Sequence, residues 1–164
     1  MPTHHESRRL RYTPEQLFDL VADVGRYAEF LPWVIAARVT ERTTETLTAD
    51  MVIGFHLLRE KFISRVRLER PGAIHVEYVD GPLKYLRNEW RFSPAPGGGT
   101  TVDFLVEFEF NNKIFERIAG AVFNEAFRTM VASFEKRAAK LYSAGTQSPA
   151  SPTGINNSKA QITA

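Results

Sequence analysis

The sequence predicts an α+β fold: a curved antiparallel sheet of about seven strands around one long C-terminal helix, with two short helices after the first strand. Three observations carry this. Tyr12–Trp33 has the punctuation of two short helices, set between a strand-like start and a long β-patterned run. From Trp33 to Glu109 apolar residues recur with a period of about two. After Asn111-Asn112 the period becomes about 3.6. A sheet and a helix with one apolar face each are most economically buried against one another.

The elements follow in order. A basic strand-like segment covers Ser7–Tyr12. At Thr13-Pro14-Glu15-Gln16 a helix begins: Thr13 can cap, Pro14 has no N–H to leave unpaired at the first helical position, and Gln16 completes a capping box. Leu17, Phe18, Leu20, Val21 and Val24 keep helical spacing, Gly25 reads as the stop, and Arg26–Leu31 reads as a second short turn that Pro32 ends. Strands are expected at Val34–Glu41, Leu47–Phe55, Lys61–Arg70, Ala73–Val79, Leu83–Phe92 and Thr101–Phe110, with breaks at Arg42–Glu45, Leu57–Glu60 and Pro71-Gly72. The alternation is clearest in Thr101–Phe110, where Val102, Phe104, Val106, Phe108 and Phe110 mark an inward face and Glu107 and Glu109 an outward one. Gly97-Gly98-Gly99, after Pro94 and Pro96, is a turn.

Phe115, Ile118, Ala119, Val122, Phe123, Ala126, Phe127, Met130, Phe134, Ala138 and Leu141 form the helix stripe, with Asn111 or Asn112 as cap and Gly145 just past the end. About thirty residues at ~1.5 Å each make a rod of roughly 45 Å, enough to cross a domain. Residues 1–143 are expected to form one domain. From residue 144 the chain is rich in Ser, Thr, Pro, Gly and Asn without an apolar period, which predicts a disordered tail over 144–164.

Composition narrows the chemistry. Twelve phenylalanines give an aromatic core, and the absence of cysteine removes thiol nucleophiles, disulfides and thiolate metal sites. No apolar run reaches the ~18 residues of a membrane span. A net charge of +2 is too small to argue for nucleic acid, and Arg8-Arg9-Arg11, Arg65-Arg67-Arg70 and Lys136-Arg137-Lys140 read as solvated faces. His4 and His5 read as a frayed terminus, His56 as a strand end and His75 as outward, so no metal-ligand spacing arises. With no nucleophile elbow and no inward acid/base pair, neither catalytic nor metal residues are assigned.

The apolar inventory says more. Met51, Ile53, Phe62, Leu86, Trp90, Phe104, Val106 and Phe108 on the strands face Phe115, Ile118 and Val122 on the helix, and can either fill a core or line a cavity. Ala119-Gly120-Ala121 at mid-helix leaves space or allows close approach. Lys84 has the strand parity of Leu86, Asn88 and Trp90 and is read as projecting into the groove, or as snorkelling at a strand end; Ser64 interrupts the apolar face between Phe62 and Val66.

The stretch VADVGRYAEFLPW (Val21–Trp33), together with Gly81-Pro82-Leu83-Lys84, Leu86 and Trp90, resembles the coenzyme Q-binding branch of the START-domain, polyketide-cyclase-like superfamily, over roughly residues 3–143. The resemblance implies the helix-grip START-like fold. It further implies non-catalytic binding of ubiquinone or a similar hydrophobic isoprenoid, with no other cofactor required, in support of respiratory electron transport. Lys84 would then donate to a quinone carbonyl, and Tyr27, Phe30, Leu31 and Trp33 would form the cavity mouth. Eukaryotic members work in mitochondria; here no leader is read before the first strand, so the expected location is the bacterial cytoplasm, with peripheral contact at the inner membrane. Two alternatives follow from the same resemblance. Bacterial relatives are described as toxins that bind the large ribosomal subunit and block subunit association, and the superfamily also contains aromatase/cyclase enzymes.

Overall fold

The computed structural model describes residues 3–55 and 58–142 and, within them, all side chains except those at 55, 58, 115 and 118–124. The elements run β1 (Thr3–Leu10), α1 (Pro14–Ala22), a 3₁₀ turn (Val24–Glu29), β2 (Val34–Arg42), β3 (Thr46–Phe55), β4 (Leu58–Glu69), β5 (Ala73–Asp80), β6 (Leu83–Pro94), β7 (Thr100–Phe110) and α2 (Lys113–Tyr142). The strands form one antiparallel seven-stranded sheet in the order β1-β7-β6-β5-β4-β3-β2. β2 to β7 is thus a meander, and β1 returns to pair with β7. This is the expected helix-grip architecture, with α2 as the gripped helix.

The capping box forms as the sequence requires. Thr13 Oγ1 accepts from the Gln16 N–H at 3.1 Å, and Gln16 Oε1 accepts from the Thr13 N–H at 3.0 Å. Helix α1 ends before Gly25, however. Asp23 leaves helical geometry at φ −83 and ψ 62, and Gly25 lies inside the 3₁₀ turn, which begins at Val24 rather than at Arg26. Trp33 then reverses the chain into β2 with φ 64, a left-handed conformation that is uncommon outside glycine. At the far end, Asn112 rather than Asn111 caps α2, its Oδ1 accepting from the Ile114 N–H at 2.7 Å.

Two strand starts differ from expectation. β1 begins at Thr3, because it finds a partner along its whole length in β7, with Thr3 opposite Glu107 and Leu10 opposite Thr100. β4 begins at Leu58, which pairs with Phe55, so Leu58–Glu60 of the expected break belong to the strand, while residues 56–57, His56 included, lie outside the described residues. The expected tail, 144–164, also lies outside them.

The glycine turn before β7 is tied to β1. Gly97, Gly98 and Gly99 all have positive φ, and a Cβ on Gly99 would stand 2.3 Å from the Leu10 carbonyl oxygen. Next to it Thr100, 0 % exposed, donates from Oγ1 to the Tyr12 carbonyl at 2.6 Å. The bond fixes the β1–α1 connection to β7. Leu17, Phe18, Leu20 and Val21 of α1 then pack onto Trp90, Phe92 and Phe104 under Val131 and Phe134 of α2.

The C-terminal end of α2 is held in three places. Tyr142 donates to the Gln16 carbonyl at 3.1 Å, Arg137 pairs with Glu29 at 2.8 Å, and the Arg137 guanidinium lies 5.0 Å from the centre of the Phe30 ring. Among the described residues no helix is long and apolar enough to cross a membrane.

Candidate ligand groove

Strand alternation sends one set of side chains to the concave face, and the register aligns them in rows. Leu68, Ile74, Trp90, Phe104 and Glu6 form one row across five strands. The next holds Leu47, Val66, Val76, Asn88, Val106 and His4. Beyond it lie Ala49, Ser64 and Tyr78, with Leu86 opposite Phe108, and then Met51 opposite Phe62.

Burial does not follow the rows strictly: Leu68 in the first is half-buried, and Leu47, Ala49, Val66, Val106 and Phe108 in the later ones are buried. Ile74, Trp90 and Phe104 are buried, whereas Val76, Asn88, Ser64, Tyr78, Leu86, Met51, Phe62, Ile53 and Phe110 are only half-buried. Among the described residues the face is covered by α1 and the C-terminal half of α2 and is only half-buried toward the paired ends of β3 and β4.

The closed half is tightly packed. Trp90 lies 4.6 Å from Phe104 and 5.1 Å from Phe134 between ring centres. The cavity left there measures about 30 Å³, bounded by Trp90, Phe92, Phe104, Val131 and Phe134 and by the polar Glu6, Arg8 and Glu135. That volume suits a water molecule and not a ring.

The predicted site residues divide accordingly. Met51, Ile53, Phe62 and Leu86 are half-buried, and Met51 stands opposite Phe62 in the register. Trp90, Phe104, Val106 and Phe108 are buried. The side chains of Phe115, Ile118 and Val122 lie outside those described. Tyr27, Phe30 and Leu31 do not form a mouth: Tyr27 and Phe30 stack edge-on against Phe134 at 5.3 and 5.2 Å, Leu31 is buried, and the Tyr27 hydroxyl donates to the Val21 carbonyl. Burial accordingly pushes the Tyr27 phenol well up, with the Asp23 charge adding to it. Trp33 alone of the four stands at the open end, where its carbonyl accepts from the Gly54 N–H at 2.8 Å.

Lys84 does not project inward. A β-bulge between Leu83 and Tyr85 puts both Lys84 and Tyr85 on the outer face before alternation resumes at Leu86. Lys84 is 59 % exposed and pairs with Glu109 at 3.5 Å. The expected parity was broken by that one extra residue. Glu107 and Glu109 do face outward as expected, Glu107 taking Arg87 and the Tyr85 hydroxyl.

Sequence reasoning missed a polar seam. His4 is not frayed. It faces inward, 11 % exposed, with Nε2 3.0 Å from Glu6 Oε1 and its ring tilted toward Phe104 and stacked on Phe127, each 6.1 Å away. Glu6 bonds Arg8, and Arg8 reaches across to Glu135 of α2 at 2.6 Å. Burial alone would raise the Glu6 carboxyl, but the hydrogen bonds from His4 and Arg8 and the Arg8 charge hold it below the ordinary value. The signal was present as the alternation His4, Glu6, Arg8, Leu10. Arg8 and Arg137, read as solvated, are thus structural, while Arg67 pairs with Glu69 and Glu77 and Arg70 with Asp19.

A curved sheet gripping one long helix is the helix-grip fold of START-type domains. The chain belongs to the polyketide cyclase/dehydrase and lipid transport family, whose pattern matches residues 10–135. It is 35 % identical over 144 residues to the ribosome association toxin RatA of Escherichia coli K12, covering 88 % of this chain and 91 % of that one. It is 33 % identical over 143 residues to the mitochondrial coenzyme Q-binding protein COQ10 homolog B of Xenopus laevis, covering 85 % of this chain and 59 % of that one. The solution structure of the 18 kDa protein CC1736 from Caulobacter crescentus superposes with a TM-score of 0.71 at 38 % identity, over 86 % of this chain and 98 % of that one.

Proposed function

We propose that this protein is a non-catalytic binder of ubiquinone or a similar hydrophobic isoprenoid, carried between the concave face of the sheet and α2 in support of respiratory electron transport. The observation that carries the reading is the set of half-buried apolar side chains on the concave face. Met51, Phe62, Tyr78 and Leu86 are packed against the core yet only half-buried among the described residues, and Ile53, further along the strand of Met51, is half-buried too. An apolar groove with few polar groups is the ordinary anatomy of a small-molecule site. Its similarity to a protein named for coenzyme Q binding supports the choice of ligand class. A carrier of this kind works at the periphery of the membrane that holds its cargo.

The test is mass spectrometry of organic extracts from purified protein, followed by titration with a short-tailed ubiquinone. Met51→Trp, which fills the open half, is expected to lower the affinity at least ~10-fold while leaving the melting temperature within a few degrees. A stably folded Met51→Trp protein with undiminished affinity would move the ligand elsewhere.

A second reading, binding to the large ribosomal subunit, is favoured by the relatives named ribosome association toxin, which match nearly the full length of both chains. It ranks second because Arg8, Arg67, Arg70 and Arg137 already have carboxylate partners within the fold, leaving fewer cations for RNA phosphates. Salt-sensitive co-sedimentation with large subunits, with no lipid in the extract, would reverse the order.

A further inference from the structure

The open half of the groove carries hydrogen-bonding groups whose polarity is fixed by the protein. Asn88 sits on the concave face in the row of Val66, Val76 and Val106. Its Nδ2 donates to the Leu105 carbonyl at 2.9 Å. Only the NH₂ end of an amide can face a carbonyl oxygen, so this contact settles the orientation of the side chain. Asn88 Oδ1 is then the end left to the groove, and no donor among the described residues occupies it. It is a pure acceptor.

Tyr78, on the neighbouring strand, has the opposite bias. Its oxygen accepts the Leu83 N–H at 2.9 Å, which leaves the phenolic hydrogen to be given to something else. Tyr78 is held in place by Phe62, whose ring is 6.5 Å away edge-on, and by the Gly81 turn, where a Cβ would come within 3.0 Å of the Tyr78 oxygen. Ser64, directly across from Tyr78, can serve either way.

A quinone ring offers only acceptors at its two carbonyls, and a hydroquinone offers two hydroxyls that both donate and accept. The Tyr78 hydroxyl can satisfy either form. Asn88 Oδ1 can be satisfied by the hydroxyl alone, and a carbonyl placed against it would set two acceptors face to face. We propose that Asn88 makes this groove selective for the reduced, hydroxyl-bearing form of its ligand, a hydroquinone rather than a quinone. The inference rests on the isoprenoid-quinone reading above and adds the redox state of the cargo. The groove is half-open, so water can partly rescue the unmatched acceptor. The expected selectivity is therefore about tenfold, well below that of a sealed site built to bind a hydroxyl.

Anaerobic titration of the full chain with decylubiquinone and with decylubiquinol, kept reduced by dithionite, reads this directly. Wild type is expected to bind the quinol about tenfold more tightly. Asn88→Leu, close in shape but without the acceptor, should lose that preference by weakening the quinol and sparing the quinone. Tyr78→Phe should weaken both forms alike and keep their ratio. If Asn88→Leu fails to fold, as judged by its melting curve, the wild-type ratio still decides. Equal wild-type affinities would overturn the selectivity while leaving the carrier reading intact. Binding of neither form would overturn both.

Discussion

Replacing Arg8 with Met tests whether the polar seam fastens α2 to the sheet. Met keeps most of the length and apolar stem of Arg8 and removes its charge. Two charge-assisted hydrogen bonds disappear, one to Glu6 and one to Glu135 at 2.6 Å. Such bonds contribute about 1.5–3 kcal/mol each when shielded. Arg8 is 31 % exposed and Glu135 44 %, so Glu135 regains water and its bond counts at the low end. Glu6, only 15 % exposed, stays in the seam with His4 as partner. A net loss of about 2 kcal/mol follows, or roughly 4–8 °C in melting temperature for a domain of this size. Its pH dependence has a definite sign. The folded Glu6 carboxyl lies below its unfolded value, so the pair contributes fully above about pH 4.5 and its contribution fades as the pH falls through the folded value. Melting curves of wild type and Arg8→Met by circular dichroism should differ by the full gap at pH ~7 and converge as the pH is lowered through the folded value of Glu6. A gap under ~1 °C at neutral pH, or one that does not shrink at all on acidification, would refute the fastening role.

Two further predictions concern the β1–β7 junction. Thr100→Val keeps shape but removes the bond to the Tyr12 carbonyl, and chemical denaturation should show a loss of about 1–2 kcal/mol; an unchanged midpoint would mean that water replaces the hydroxyl. Gly99→Ala meets both a positive φ and the Leu10 carbonyl and should lose more than ~2 kcal/mol, whereas Gly98→Ala meets open space and should lose only the conformational part, about 1 kcal/mol. Equal losses at the two glycines, again by denaturation, would show that the turn simply shifts to admit a Cβ.

The architecture was legible because its signals are local and repeated. A capping box, an unbroken alternation over β7 and a helix-long stripe each describe one element and need no knowledge of its neighbours. The failures are of two physical kinds. At Lys84 the strand contains one residue too many, and a parity argument carried through a bulge assigns the wrong face to everything beyond it. Leu83 and Leu86, both inward at an odd spacing, hold the trace of that bulge. At His4, Glu6 and Arg8 the inward side chains are polar, and a reading that equates inward with apolar cannot find them. Their burial is made tolerable by Glu135, 127 residues away from Arg8, a pairing that no local pattern contains.

Strand periodicity alone does not locate the groove. Apolar residues that fill a core and those that line a cavity alternate identically along a strand, and only the covering elements tell them apart. Here α1 and the C-terminal half of α2 lie over the rows of Trp90 and Phe104, with the 3₁₀ turn pinned against Phe134 and Arg137. β3, β4 and β6 run past that cover toward the hairpin end. Side chains there keep apolar area in contact with water, at about 25 cal/mol for each Å² left exposed. A domain of ordinary stability tolerates such a surface only within a margin of a few kcal/mol. A hydrophobic ligand laid along Met51, Phe62 and Leu86 would recover that free energy, so ligand binding should raise the melting temperature most in variants whose closed half is intact. Arg8→Met and Met51→Trp separate the two halves: the first should weaken the fold with ligand affinity nearly preserved, the second should weaken affinity with the fold preserved. If both variants lost stability and affinity in proportion, the concave face would be one continuous core, and the division into a closed and an open half would be wrong.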